Sequence, residues 1–242
     1  MNLGILFIGD IVGKGGRRAI LEHVPALLAE HNCNFCIANA ENIAGGSGLT
    51  AKCITSISPF PVNVVTTGDH VWDQKGFEHE INEFNNVLRP ANFSSKQPGK
   101  GYDIFRNSIS GDIAVISIAG RTFMKYEANC PFECVEQILA KLPKTVKTII
   151  VDFHAEATSE KGAMARFLDG KVTAVIGTHT HVQTSDAKIL PGGTAFITDV
   201  GMVGAEESVL GREIDAVIRK FRLGMPAKLT VKEDGIRLDS VV

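Results

Sequence analysis

The chain has 242 residues, 44% of them hydrophobic and 21% charged, with a formal net charge of −2. That balance suits a globular domain with a sizeable core and supplies no bulk charge for a nucleic-acid or membrane surface. Five cysteines, an odd number scattered over the chain, argue against a disulfide framework and for a reducing compartment.

In chain order, "LGILFIG" reads as a buried strand, too short for a signal-peptide core and followed at once by Asp10. "GGRRAILEHVPALLAEH" reads as a helix that Pro25 kinks or ends early. "NFCIANA" is a second strand, "LTAKCITSIS" a helix capped by Thr50, "VNVVTTG" a third strand and "KGFEHEINEF" a third helix. Residues 88–101 hold two prolines and two glycines and read as loop. "YDIFR" and "DIAVISIAG" form a hairpin; "PFECVEQILAKL" is a helix and "KTIIVDF" a strand. "TSEKGAMARFL" follows as a helix capped by Thr158 or Ser159, then "VTAVIGT" as a strand. "AKILPGGTAFITDV" is a second hairpin, "EIDAVIRKFRL" the last long helix, and two β-like runs end the chain. Without repeats, linkers or membrane-length apolar runs, residues 1–242 are expected to form one soluble, cytoplasmic domain. Its expected class is α/β, a layered α/β/β/α sandwich with two mixed β-sheets.

The chemistry is written at the ends of the strands. Five apolar runs stop at residues able to bind metal: Asp10; Glu41 and Asn42; Asp69 and His70; His154; and His179 with His181. In open α/β sheets, ligands bind outside the carboxyl ends of strands. Taken singly, each acid is an ordinary turn former and each histidine an ordinary hydrogen-bonded residue. As a set they argue otherwise, because four of the seven histidines fall at such ends. In extended chain His179 and His181 point to one side, able to grip one metal or one each of a close pair. Mixed histidine and carboxylate ligands suit zinc, iron or manganese. The number of ligands exceeds one tetrahedral site and points to two metals.

At these residues the chain resembles the calcineurin-like metallophosphoesterases, and most closely their YmdB-like branch of bacterial phosphodiesterases. The resemblance rests on "FIGDIVGKGGR", "NAENIAGGSGLT", "TTGDHVWD", "LRPANF", "GRTF", "DFHAEATSEK", "GTHTHVQT" and "ILPGGTAFITDVGM". It implies two divalent or mixed-valence ions, iron first, with manganese or zinc as alternatives. Asp10 and His181 would serve metal one, and Asn42 would replace the histidine that the superfamily has where this chain has Val12. Glu41 would bridge the two ions, and Asp69, His154 and His179 would serve metal two. His70 would be the catalytic acid. Two cations about 3.5–4 Å apart can share a hydroxide that attacks phosphorus in line with the leaving oxygen. The resemblance further implies phosphodiester substrates such as 2′,3′-cyclic nucleotides, a homo-oligomer, and neither membrane nor stable DNA binding.

One departure stands out. The superfamily's Gly-Asn-His is Gly-Asp-His here, at Asp69. With two divalent ions, three carboxylates leave a net charge of about +1, where an asparagine would leave about +2.

Other motifs are weaker. "GDIVGKGGR" lacks the spacing and the Ser or Thr of a phosphate loop. "AGGSG" is either a wall beside the site or a turn. Cys33, Cys36, Cys130 and Cys134 are read as reduced core cysteines, Trp72 as packing beside the site, and Arg121 as either a phosphate contact or a surface ion pair. Two alternative functions remain: a phosphomonoesterase, or a non-catalytic regulatory protein binding metal or RNA.

Overall fold

The computed structural model describes residues 3–107 and 111–242. The first half contains β1 (Ile5–Ile8), β2 (Asp10–Ile11), α1 (Gly13–Glu30), β3 (Phe35–Asn39), α2 (Ala51–Thr55), β4 (Val64–Thr66), α3 (Phe77–Glu80), β5 (Val87–Leu88), β6 (Tyr102–Phe105) and β7 (Ile113–Ala119). The second adds α4 (Pro131–Lys141), β8 (Thr148–His154), α5 (Thr158–Leu168), β9 (Ala174–Thr178), β10 (Lys188–Ile189), β11 (Ala195–Ile197), β12 (Met202–Ala205), α6 (Ile214–Leu223), β13 (Ile236–Leu238) and β14 (Ser240–Val241).

Two large sheets are mixed, as expected. The first runs β14-β1-β3-β4-β5, parallel except at the β14 edge. The second runs β10-β11-β9-β8-β7-β6, with four parallel strands between antiparallel edges. A third, smaller sheet, β13-β12-β2, adds to them. It arises where the chain passes from β1 to β2 at Gly9 and from β13 to β14 at Asp239. There the Gly9 amide donates to Asp239 O at 3.1 Å and the Asp239 amide to Met202 O at 3.1 Å.

Side-chain alternation produces the layers. Leu6, Ile8, Cys36 and Ala38 pack with Ala19, Ile20 and Val24 of α1. Ala114, Ile116, Val151 and Phe153 pack with Val135 of α4 and Met164 and Leu168 of α5. The opposite faces meet each other through Phe7, Ile37 and Val64 against Val115, Ile150 and Ile176. This is the expected α/β/β/α sandwich. Removing so much apolar surface from water is its main driving force.

Local corrections have physical reasons. Pro25 does not end α1, which continues to Glu30. The partner that a residue 25 amide would have bonded is the carbonyl of Leu21, a residue half-exposed to water. Thr158 and Ser159 do not cap α5; Ala157 is the cap, and its carbonyl accepts from the Glu160 and Lys161 amides at 3.1 Å. Thr50 does cap α2, accepting from the Cys53 amide at 3.3 Å. The third helix is one short turn continued by a 3-10 turn over Ile81–Glu83. Among the described residues, no helix is long and apolar enough to cross a membrane.

Candidate metal centre

Parallel strands send their carboxyl ends to one rim, and both large sheets contribute. Asp10 lies on β2, Glu41 and Asn42 follow β3, Asp69 and His70 follow β4, His154 ends β8, and His179 and His181 follow β9. All are brought together.

Two linked groups form. In the first, His154 Nε2 lies 3.2 Å from Glu41 Oε1, 3.2 Å from Asp69 Oδ1 and 3.0 Å from His179 Nδ1. One donor atom from each of Glu41, Asp69, His154 and His179 fits within a 4.8 Å span, so this cluster could hold a metal ion. In the second, His181 Nε2 lies 3.2 Å from Asn42 Nδ2 and 3.7 Å from Asp10 Oδ1. Glu41 joins the two, since its Oε1 also accepts from Asn42 Nδ2 at 3.2 Å.

The donor chemistry suits cations. Asp10, Glu41 and Asp69 are all buried, and burying carboxylates is unfavourable without positive charge nearby. Asp10 Oδ1 is buried and has no hydrogen-bond partner among the described residues. Burial holds the Asp10 carboxyl well above its usual range. Burial opposes ionisation of Asp69 too, but the hydrogen bond and charge of His154 outweigh it and hold that carboxyl low. His154 would be pushed down by burial, yet the Glu41 and Asp69 carboxylates keep it well above the normal imidazole range. His179 is pushed down to about 4 by burial and by the charge on His154. The buried acids thus draw positive charge toward themselves, which is the role a metal ion would fill here.

Beneath the ligands is a polar layer that sequence reasoning missed. Asn39, Thr66, Asp152 and Thr178 share the parity of the apolar residues facing the seam between the sheets. His154 Nδ1 lies 2.9 Å from Thr178 Oγ1, which donates to Asp152 Oδ1 at 2.7 Å. Asp152 Oδ2 accepts from Asn39 Nδ2 and from Thr66 Oγ1. This chain fixes the His154 ring with Nε2 toward the carboxylates. The available signal was the buried acid two residues before His154 in "TIIVDFH". Gly68 completes the fit: a Cβ there would collide with the His154 ring.

The His-Thr-His element is not extended. His179 has φ +100° and His181 φ +63°, so the pair divides between the two groups instead of lying on one strand face. Thr180 between them donates from its amide (3.0 Å) and its hydroxyl (2.7 Å) to Asp199 Oδ2. The same oxygen accepts from Lys161 Nζ at 2.7 Å, a fully buried ion pair.

His70 stands beside the ligands, its amide donating to Glu41 Oε2 at 3.0 Å. Its Nδ1 is 2.6 Å from Asp73 Oδ2, which also accepts from Ser47 Oγ at 2.6 Å. Ser47 comes from "AGGSG", which is thus both a turn and a wall of the site. Burial acts to raise the Asp73 carboxyl, but these hydrogen bonds outweigh it and hold it low. Trp72 packs against Phe77 at 6.4 Å, and the cysteines are free.

Residues 6–242 match the model of a family described as YmdB-like protein. A Bacillus subtilis protein named 2′,3′-cyclic-nucleotide 2′-phosphodiesterase is 43% identical over 98% of this chain and 89% of its own length. A crystal structure described as a novel phosphatase, from Mycoplasma pneumoniae, superposes with a TM-score of 0.92 at 34% identity, covering 99% of this chain and 87% of that one. A hypothetical protein from Thermus thermophilus gives a TM-score of 0.91 at 36% identity, covering 98% of this chain and 91% of that one. Sequence and fold agree over nearly the whole length, and the chain belongs to the YmdB-like family.

Proposed function

We propose that the protein is a dinuclear-metal phosphodiesterase acting on nucleotide diesters, 2′,3′-cyclic phosphates among them. One observation carries the reading: three buried carboxylates, Asn42 and three histidines gather into two linked groups, with an orphaned oxygen on Asp10. Asp10, Asn42 and His181 would hold one ion, Asp69, His154 and His179 the other, and Glu41 both. When bound, the two ions would supply a nucleophile at neutral pH and neutralise phosphoryl charge. Iron and manganese suit these mixed nitrogen and oxygen donors. His70 Nδ1 is engaged by Asp73, so Nε2 is the ring nitrogen left to serve the leaving oxygen. The relative from Bacillus subtilis supports the substrate class.

Charge supports the expected homo-oligomer. Ile214, Ile218 and Phe221 are exposed on α6, with Asp215 near its start and Arg219 and Arg222 toward its end. Antiparallel packing of two copies pairs those opposite charges.

The test compares bis-p-nitrophenyl phosphate with p-nitrophenyl phosphate. Diester turnover should exceed monoester turnover, vanish on chelation and return with manganese or iron. A preference for the monoester would favour the phosphomonoesterase. No turnover with any of Mn, Fe, Zn or Co, with nucleotide binding intact, would favour the regulatory protein.

Asp69→Asn removes one negative charge from the cluster while keeping an oxygen donor. Metal affinity should fall by roughly tenfold, the scale on which carboxylate charge tunes metal sites. Competition with a chelating dye measures it. Unchanged affinity and rate would make the Asp69 charge silent.

A further inference from the structure

Beyond the metal ligands lies a loop that the chemistry above does not use. Arg121, Met124, Lys125, Tyr126, Glu127 and Ala128 of this loop line a cavity of about 380 Å³. The cavity is one side chain from His70. Lys125 Nζ (3.3 Å) and Tyr126 Oη (3.0 Å) both donate to Asp73 Oδ1, and the other oxygen of Asp73 holds His70. The Lys125 ammonium lies 4.7 Å from the Tyr126 ring centroid, so cation and aromatic face are already paired.

Phe123 belongs to the same loop. It is 86% exposed and has φ +63°. A bulky residue rarely adopts that conformation, and an exposed phenyl gains nothing from the core for adopting it. Such strain gathers at ligand clamps. The loop is nonetheless anchored. Glu160 on α5 accepts from the Arg121 amide at 3.0 and 3.1 Å and from the Thr122 amide at 3.2 Å. Gly120 admits that carboxylate, since a Cβ there would lie 2.5 Å from Glu160 Oε2.

We propose that loop 121–128 is the nucleoside-binding wall of the site, with Phe123 stacking on the base and Arg121 and Lys125 receiving phosphate or ribose oxygens. The inference rests on the phosphodiesterase reading. Lys125 and Tyr126 meet Asp73, whose other oxygen holds His70, so this cavity borders the catalytic acid, and the nucleoside is the part of the substrate large enough to extend past His70 to it. An aromatic face next to two cations matches a nucleotide and offers little to a simple alkyl phosphate.

Calorimetric binding of adenosine 3′-monophosphate and of inorganic phosphate to the manganese-loaded protein tests this without turnover. Phosphate probes the site without a base to stack on Phe123; the nucleotide probes the metal centre and the stacking wall together. Phe123→Ala should weaken the nucleotide by roughly tenfold, the scale of one stacked base, and leave phosphate unchanged. Phe123→Trp should retain nucleotide affinity, and Arg121→Ala should weaken it. Equal nucleotide affinity in wild type, Phe123→Ala and Arg121→Ala, with phosphate still bound, overturns the loop assignment and spares the metal centre. Failure of the wild type to bind either probe overturns the phosphodiesterase reading, and the loop assignment with it.

Discussion

His70→Ala leaves the metal content intact and lowers hydrolysis of nucleotide diesters by roughly 10²–10⁴-fold, the usual worth of a positioned general acid. The structure separates the two functions. His70 touches the cluster through its amide, on Glu41 Oε2, and that contact survives truncation of the side chain. The ring is instead held by Asp73 and Ser47. The size of the loss should depend on the leaving group. p-Nitrophenolate departs without a proton, so bis-p-nitrophenyl phosphate should suffer much less than a diester with an alkoxide leaving group. Metal analysis and the two rates measure this together. Equal losses on both substrates would assign His70 to charge stabilisation. Full activity would remove it from the reaction.

The candidate site was legible because strand physics put it in one register of the sequence. Parallel strands end together, so Asp10, Glu41, Asp69, His154 and His179 could be read as neighbours although 169 positions separate the first and last. What supports them was illegible. Lys161 sits in "TSEKGAMARFL", where a lysine reads as solvated, and its partner Asp199 is 38 positions away. Asp152 alternates with apolar residues in a strand, and only its pairing across the seam with Asn39 and Thr66 explains it. The positive φ at His179 and His181 had no glycine to announce it, so alternation misplaced the two rings. The third sheet was hidden for a similar reason. Breaks at Gly9 and Asp239 are set by hydrogen bonds between distant segments, and strand β12 has a composition, "MVGA", that names no structure.

Lys161→Met tests the support directly, with a large effect on stability. The substitution keeps an apolar stem of similar length and removes the ammonium. Asp199 then remains fully buried without its cation. Breaking a buried pair from one side destabilises by about 3–5 kcal/mol. For a chain of this size each kcal/mol moves Tm by about 2–4 °C, so a drop of roughly 6–20 °C is expected. Thermal unfolding measures it, and a shift under ~2 °C would contradict so buried a pair. The second consequence concerns position. Asp199 Oδ2 also receives both donors of Thr180, between His179 and His181, so metal content should fall along with Tm. Lys161→Met combined with Asp199→Leu separates the two effects. Removing both charges should recover part of the Tm, because no buried charge is left unpaired. Metal content should stay low, because Thr180 has lost the acceptor that sets its backbone. If both recover together, the pair serves stability alone; if only Tm recovers, the Lys161–Asp199 pair is what divides the two histidines between the two halves of the site.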